Sequence, residues 1–131
     1  MAKILLVDDE QDIIEFCSKL LRKAGFMVTT AMNGADCLRL ARLEHPDLIL
    51  LDISMPDIDG GDVSRSLSQD DKTKGIPVVF LSGMITKDEE QNLQGRLCIS
   101  KSNTPEELVK KIRTILSIQP AVLQQKMHPS D

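Results

Sequence analysis

The stretch PDLILLDISMPDIDG, Pro46 to Gly60, decides the fold. Its run Leu48-Ile49-Leu50-Leu51 is apolar at every position. That suits a strand covered on both faces, as in a parallel sheet. Asp52 follows, where such a strand leaves its sheet. In open α/β sheets the crevice beyond the carboxyl ends of the strands is where ligands bind. Met55-Pro56 and Asp59-Gly60 then turn the chain. Read alone, Asp52 starts a turn, as aspartates commonly do. The flanking sequence gives it company.

Upstream, Lys3 to Val7 (KILLV) reads as a buried strand that ends in Asp8-Asp9. Ile13, Cys17, Leu20, Leu21 and Ala24 recur at helical spacing, and Gly25 offers a left-handed stop. Phe26 to Ala31 is rich in β-branched residues and predicts a second strand. Asn33-Gly34 turns the chain and caps a helix that stops before Pro46. Downstream, Val63 and Leu67 mark a weakly amphipathic third helix. Ile76 to Leu81 predicts a fourth strand leading into Ser82-Gly83, with Pro77 tolerable near a strand start. Thr86 to Gln94 predicts a short polar helix. Arg96 to Ile99 predicts a fifth strand ending near Lys101. Thr104-Pro105-Glu106-Glu107 is a helix start with capping-box spacing and a proline at the first helical position. Leu108, Val109, Ile112, Ile115 and Leu116 supply that helix with its buried face.

Strands alternating with helices imply right-handed βαβ units. The expected architecture is α/β: a flavodoxin-like, doubly wound, five-stranded parallel sheet of order 2-1-3-4-5 with five helices. Residues 1–118 form one domain, and residues 119–131 are a tail or the start of a linker.

Composition narrows the function classes. With 131 residues, one domain can bury a core without staples. A net charge of −4 and 2% aromatics leave neither a basic patch nor a stacking platform, which argues against direct nucleic-acid binding. Cys17, Cys37 and Cys98 have no metal-ligand spacing, and their odd number argues against a closed disulfide set. All three are expected to be small buried thiols in a reducing cytosol. No signal peptide and no apolar run of membrane-spanning length is seen, so a cytoplasmic protein without membrane contact is expected.

The order 2-1-3-4-5 makes strands 1 and 3 neighbours, which sets Asp8 and Asp9 beside Asp52. Ser82 ends the next strand and Lys101 the one after. Three carboxylates in one crevice repel one another and need compensation. Oxygen ligands favour a hard cation such as Mg²⁺, which also accepts a phosphate oxygen. A lysine and a hydroxyl complete an anion clamp. Singly, each residue has a plainer reading: Asp8 and Asp9 as helix caps, Ser82 as a turn residue, Lys101 as a solvated lysine. Together they would all have to be coincidental.

Over Met1 to Ser117 the chain resembles the receiver domains of two-component response regulators. The resemblance rests on Asp8-Asp9, on Asp52 to Gly60, on Leu81-Ser82-Gly83 and on Lys101, with Asn33-Gly34 and Pro46-Asp47 fitting as well. It implies that Asp52 accepts a phosphoryl group from the histidine of a sensor kinase or of a histidine phosphotransfer protein. It implies Mg²⁺ (or Mn²⁺) held by Asp9 directly, by Asp8 largely through water, by Asp52, and by the Ser54 backbone carbonyl. Lys101 would pair with phosphoryl oxygens, and Ser82 would carry a conformational switch to a downstream effector protein or domain, or to a phosphorylation-dependent dimer. The protein would catalyse only its own phosphorylation and dephosphorylation, so it is not expected to be an enzyme. The alternative is a receiver-like interaction module that works without phosphorylation. A phosphohydrolase of the haloacid dehalogenase type needs Asp-x-Asp after the first strand, whereas Glu10 follows Asp8-Asp9 here.

The chain departs from the family at several positions. Cys98 stands where an aromatic residue is common, three before Lys101. Ser102 stands where proline usually follows the lysine. Gly61 replaces a commonly apolar residue, and the span from Ser82 to Lys101 is short. With no aromatic lever at Cys98, the signal is expected to travel through Gly83-Met84-Ile85 and to shift the Gly83 to Gln94 segment.

Overall fold

A computed structural model describes residues 2–52, 60–83 and 97–117. Its five strands are β1 (Lys3–Val7), β2 (Met27–Ala31), β3 (Leu48–Asp52), β4 (Val78–Ser82) and β5 (Leu97–Ser100). The helices among the described residues are α1 (Gln11–Lys23), α2 (Gly34–Glu44), α3 (Gly60–Gln69) and α4 (Pro105–Ser117). Every pairing is parallel and the order is β2-β1-β3-β4-β5, as expected. The helix expected over Thr86 to Gln94 and the tail 119–131 lie outside the described residues, as do Ser54 and most of the segment proposed to carry the switch.

The all-apolar strands are divided between two cores by the strand's period of two. Ile4, Leu6, Leu48, Leu50, Val79, Leu81 and Ile99 face α1 and α4. Leu5, Val7, Ile49, Leu51, Val78 and Phe80 face α2 and α3 with Cys37, Ala41, Val63 and Leu67. Every residue of β3 is buried. This is why β3 reads as an unbroken apolar run rather than an alternating one. Cys17 and Cys37 are buried as expected, whereas Cys98 is only partly so, because β5 is an edge strand.

Element ends shift by a residue or two from expectation, for identifiable reasons. Gly25, at φ +100, ends α1. Its N–H donates to the Arg22 carbonyl and that of Phe26 to the Leu21 carbonyl. This pair of bonds is the Schellman arrangement, and it takes Phe26 out of the sheet, so β2 begins at Met27. Ile76 likewise donates its N–H to the Thr73 carbonyl, and Pro77 has none to give, so β4 begins at Val78. Asn33 caps α2 by accepting from the Asp36 N–H at 2.8 Å. The capping box at α4 forms in both directions: Thr104 N–H to Glu107 Oε1 at 2.8 Å, and Glu107 N–H to Thr104 Oγ1 at 3.2 Å.

Candidate functional site

Strand register assembles the site. Val7 pairs with Leu51, so Asp8 and Asp52 are the next residues out on adjacent strands. Asp52 pairs with Leu81, which puts Ser82 one step further, and Ser82 pairs with Ser100, which leaves Lys101 just beyond. All five expected strand-exit residues therefore lie along one end of the sheet. Lys101 Nζ is 3.3 Å from Asp52 Oδ1 and 3.7 Å from Asp8 Oδ2, so a single ammonium bridges two carboxylates from different strands. The backbone N–H of Lys101 donates to the Ser82 carbonyl at 2.8 Å, which extends the β4–β5 ladder by one bond.

Burial makes this cluster energetically consequential. Asp8 is 0% and Asp52 2% exposed, and Ser82 is also buried. The cap position of α1 falls on Glu10, which makes no side-chain cap bond, so neither Asp8 nor Asp9 serves as the helix cap. Instead Asp8 Oδ1 accepts the Glu10 N–H at 3.1 Å. Its other oxygen, Oδ2, is buried and, among the described residues, has no hydrogen-bond partner, only the Lys101 ammonium at 3.7 Å. Burial pushes the Asp8 carboxyl up to about 6; the Glu10 N–H and Lys101 pull the other way, and Asp52 and Asp9 add repulsion. For Lys101, burial alone would favour loss of its proton, but Asp52 and Asp8 outweigh it and the ammonium is held above its ordinary value.

The residues fit a hard cation on these grounds. Carboxylate oxygens of Asp8, Asp9 and Glu10 lie within 4.8 Å of one another. One of the Asp8 oxygens is unsatisfied at a position where desolvation disfavours its charge, a cost that a bound cation would offset. Glu10 was not among the expected ligands. It is exposed, and its only sequence signal was adjacency to Asp8-Asp9. A cavity of about 380 Å³ flanks Lys101 between α1 and α4, with Ile13, Phe16, Leu20 and Leu108 on its walls. A wider open groove of about 710 Å³ between Lys23 and Arg113 includes none of the site residues.

Comparisons with known proteins converge on one family. A family model for the response regulator receiver domain matches residues 4–113. The chain is 38% identical over 123 residues to Protein PilH of Pseudomonas aeruginosa, covering 89% of this chain and 99% of that one. It is 30% identical over 114 residues to the polar-differentiation response regulator DivK of Brucella anthropi, covering 87% and 93%. Among solved structures, the chemotaxis response regulator CheY4 of Vibrio cholerae matches with a TM-score of 0.76 at 28% identity, covering 87% of this chain and 98% of that one.

Proposed function

The chain belongs to the response regulator receiver family, and from that premise we propose that Asp52 is its phosphoacceptor. The observation that carries this reading is the bridge from Lys101 to Asp52 and Asp8 at the strand exits. An oxygen of the Asp52 carboxylate bonds to phosphorus as the bond from phosphorus to the donor's imidazole nitrogen breaks. Water later hydrolyses the acyl phosphate. Transfer of this kind is mostly positioning and charge neutralisation. Lys101 neutralises phosphoryl oxygens, and Ser82 at the β4 exit is the hydroxyl placed to read the new group. Asp9 and Asp52 directly, Asp8 largely through water, and the Ser54 carbonyl would hold Mg²⁺ or Mn²⁺. When bound, the ion supplies positive charge against the carboxylates and the incoming phosphoryl group. We place the domain at residues 1–118. The chain turns over no substrate beyond its own acyl phosphate.

The donor is a sensor histidine kinase or a histidine phosphotransfer protein, and the output is contact with an effector or a phosphorylation-dependent dimer. A cytoplasmic setting fits these partners. Among the described residues no helix is long and apolar enough to cross a membrane.

The test uses acetyl phosphate as donor, with Mg²⁺ or with EDTA, and intact mass as readout. A gain of one phosphoryl group with Mg²⁺ and none with EDTA is expected. No gain under either condition would favour the module that works without phosphorylation. The metal assignment has a separate test. Asp9 is partly exposed and free to point at an ion, whereas Asp8 is buried with one oxygen already committed to Glu10. Asp9→Ala should therefore weaken Mg²⁺ binding by calorimetric titration at least tenfold more than Asp8→Ala. Wild-type affinity in both variants would remove the site.

A further inference from the structure

Lys101 has four carbon atoms between its backbone and its charge, and such stems carry substantial rotamer entropy. Holding the ammonium between two carboxylates therefore depends on where the backbone puts its Cα. The loop from Ser100 to Thr104 is bonded more densely than a plain turn. The Ser102 N–H donates to Ser100 Oγ at 3.0 Å, and the two hydroxyls are 2.7 Å apart. These bonds close a ring around Lys101 itself. Asn103 adds two more to the Ser100 carbonyl, from its backbone N–H at 3.3 Å and from Nδ2 at 2.8 Å. Asn103 Oδ1 in turn accepts from Lys111 Nζ at 2.6 Å, about two turns into α4. Ser100 is 1% exposed, so its side chain is not competing for water.

We infer that Ser100, Ser102, Asn103 and Lys111 are positioning residues for Lys101. They tie both sides of the lysine to β5 and to α4 so that its ammonium meets the phosphoryl oxygens without a search. This inference rests on the phosphoacceptor reading given above. The Lys101–Ser102 peptide is not cis, so the loop takes its path through these side-chain bonds in an ordinary backbone. Ser100→Ala removes the ring, Asn103→Ala removes the Nδ2 bond to the Ser100 carbonyl and the acceptor of Lys111 while keeping the backbone bond, and Lys111→Met removes only the brace from α4. Misplacing a reacting group by about an ångström can cost ~100-fold in rate. A loosened rather than misplaced lysine should cost less, ~10-fold for Ser100→Ala and Asn103→Ala and ~3-fold for Lys111→Met.

The experiment is a set of phosphorylation time courses by intact mass, with acetyl phosphate and saturating Mg²⁺. Each variant is made on the wild-type background and on Lys101→Ala. Beryllofluoride affinity by fluorine NMR is measured alongside as a static readout. The expected result is slower uptake and weaker beryllofluoride binding on the wild-type background, no further change on Lys101→Ala, and Mg²⁺ affinity within twofold of wild type. Equal slowing on both backgrounds would mean that the bonds merely support the fold, and would overturn the inference. So would unchanged rates in all three variants. If Ser100→Ala fails to fold, Lys111→Met decides, since it keeps the loop's own bonds and removes the Lys111 ammonium from Asn103. Failure of the phosphoacceptor reading shows separately, as no uptake by the wild-type protein.

Discussion

Asp52→Asn should take up no phosphoryl group under conditions in which the wild-type protein is fully converted. Asparagine has nearly the shape of aspartate and keeps an oxygen for the Lys101 ammonium, now 3.3 Å from Asp52 Oδ1. Lys101 also keeps Asp8 as its counter-ion. The substitution removes one of the charges that raise the Asp8 carboxyl, so it relieves the cluster rather than breaking it. Loss of uptake in a variant that melts no earlier than wild type would therefore be a loss of chemistry, because a neutral carboxamide is a poor nucleophile toward phosphorus. Other carboxylates, Asp8 and Asp9 among them, stand at the same sheet end, which makes the measurement decisive. Uptake by Asp52→Asn equal to wild type, by intact mass and peptide mapping, would pass the role to Asp8 or Asp9.

Much of this site was legible because its parts are strand exits, and strand exits are where sequence signals are sharpest. KILLV before Asp8 and LILL before Asp52 are buried on both faces, so they show the unbroken apolar run that announces a parallel strand. The order 2-1-3-4-5 came with the flavodoxin-like architecture expected of five such units, and register does the rest. Less legible were the ends where one backbone N–H is claimed by a neighbour. The Schellman bonds at Gly25 and the turn at Thr73 move the starts of β2 and β4, and neither follows from strand propensity. The bracing of Lys101 was also hidden. Serine and asparagine near a strand end read as ordinary turn residues, and Lys111 as an exposed helix position. Only the fold brings a residue eight positions away onto Asn103. Cys98 was expected to be buried with the other thiols, but a residue on an edge strand has one flank uncovered.

Asp8 should cost the metal-free protein stability as pH rises from about 4 to about 6. Its carboxyl moves from an ordinary value of 3.8 up to about 6 on folding, because burial penalises the charge. Between those values the folded chain holds a proton that the unfolded chain has released. Stability then declines with pH, since the slope follows protons bound in the unfolded state minus those bound in the native state. A shift of this size corresponds to roughly 3 kcal/mol, fully lost above the folded value. Most carboxylates act in the opposite sense, being stabilised by folding and lost in acid. The Lys101 ammonium, held above its ordinary value, contributes stability that is lost only in alkali, outside this window. Asp8→Asn should abolish this decline, leaving the variant more stable than wild type near pH 7 and not at pH 4. Mg²⁺ should do the same for the wild type, because a cation at the unsatisfied oxygen removes the reason for its protonation. Urea denaturation in EDTA from pH 4 to pH 8, for both proteins, measures it. Parallel profiles would show that Asp8 titrates at its ordinary value, and that its buried charge is already compensated without a metal.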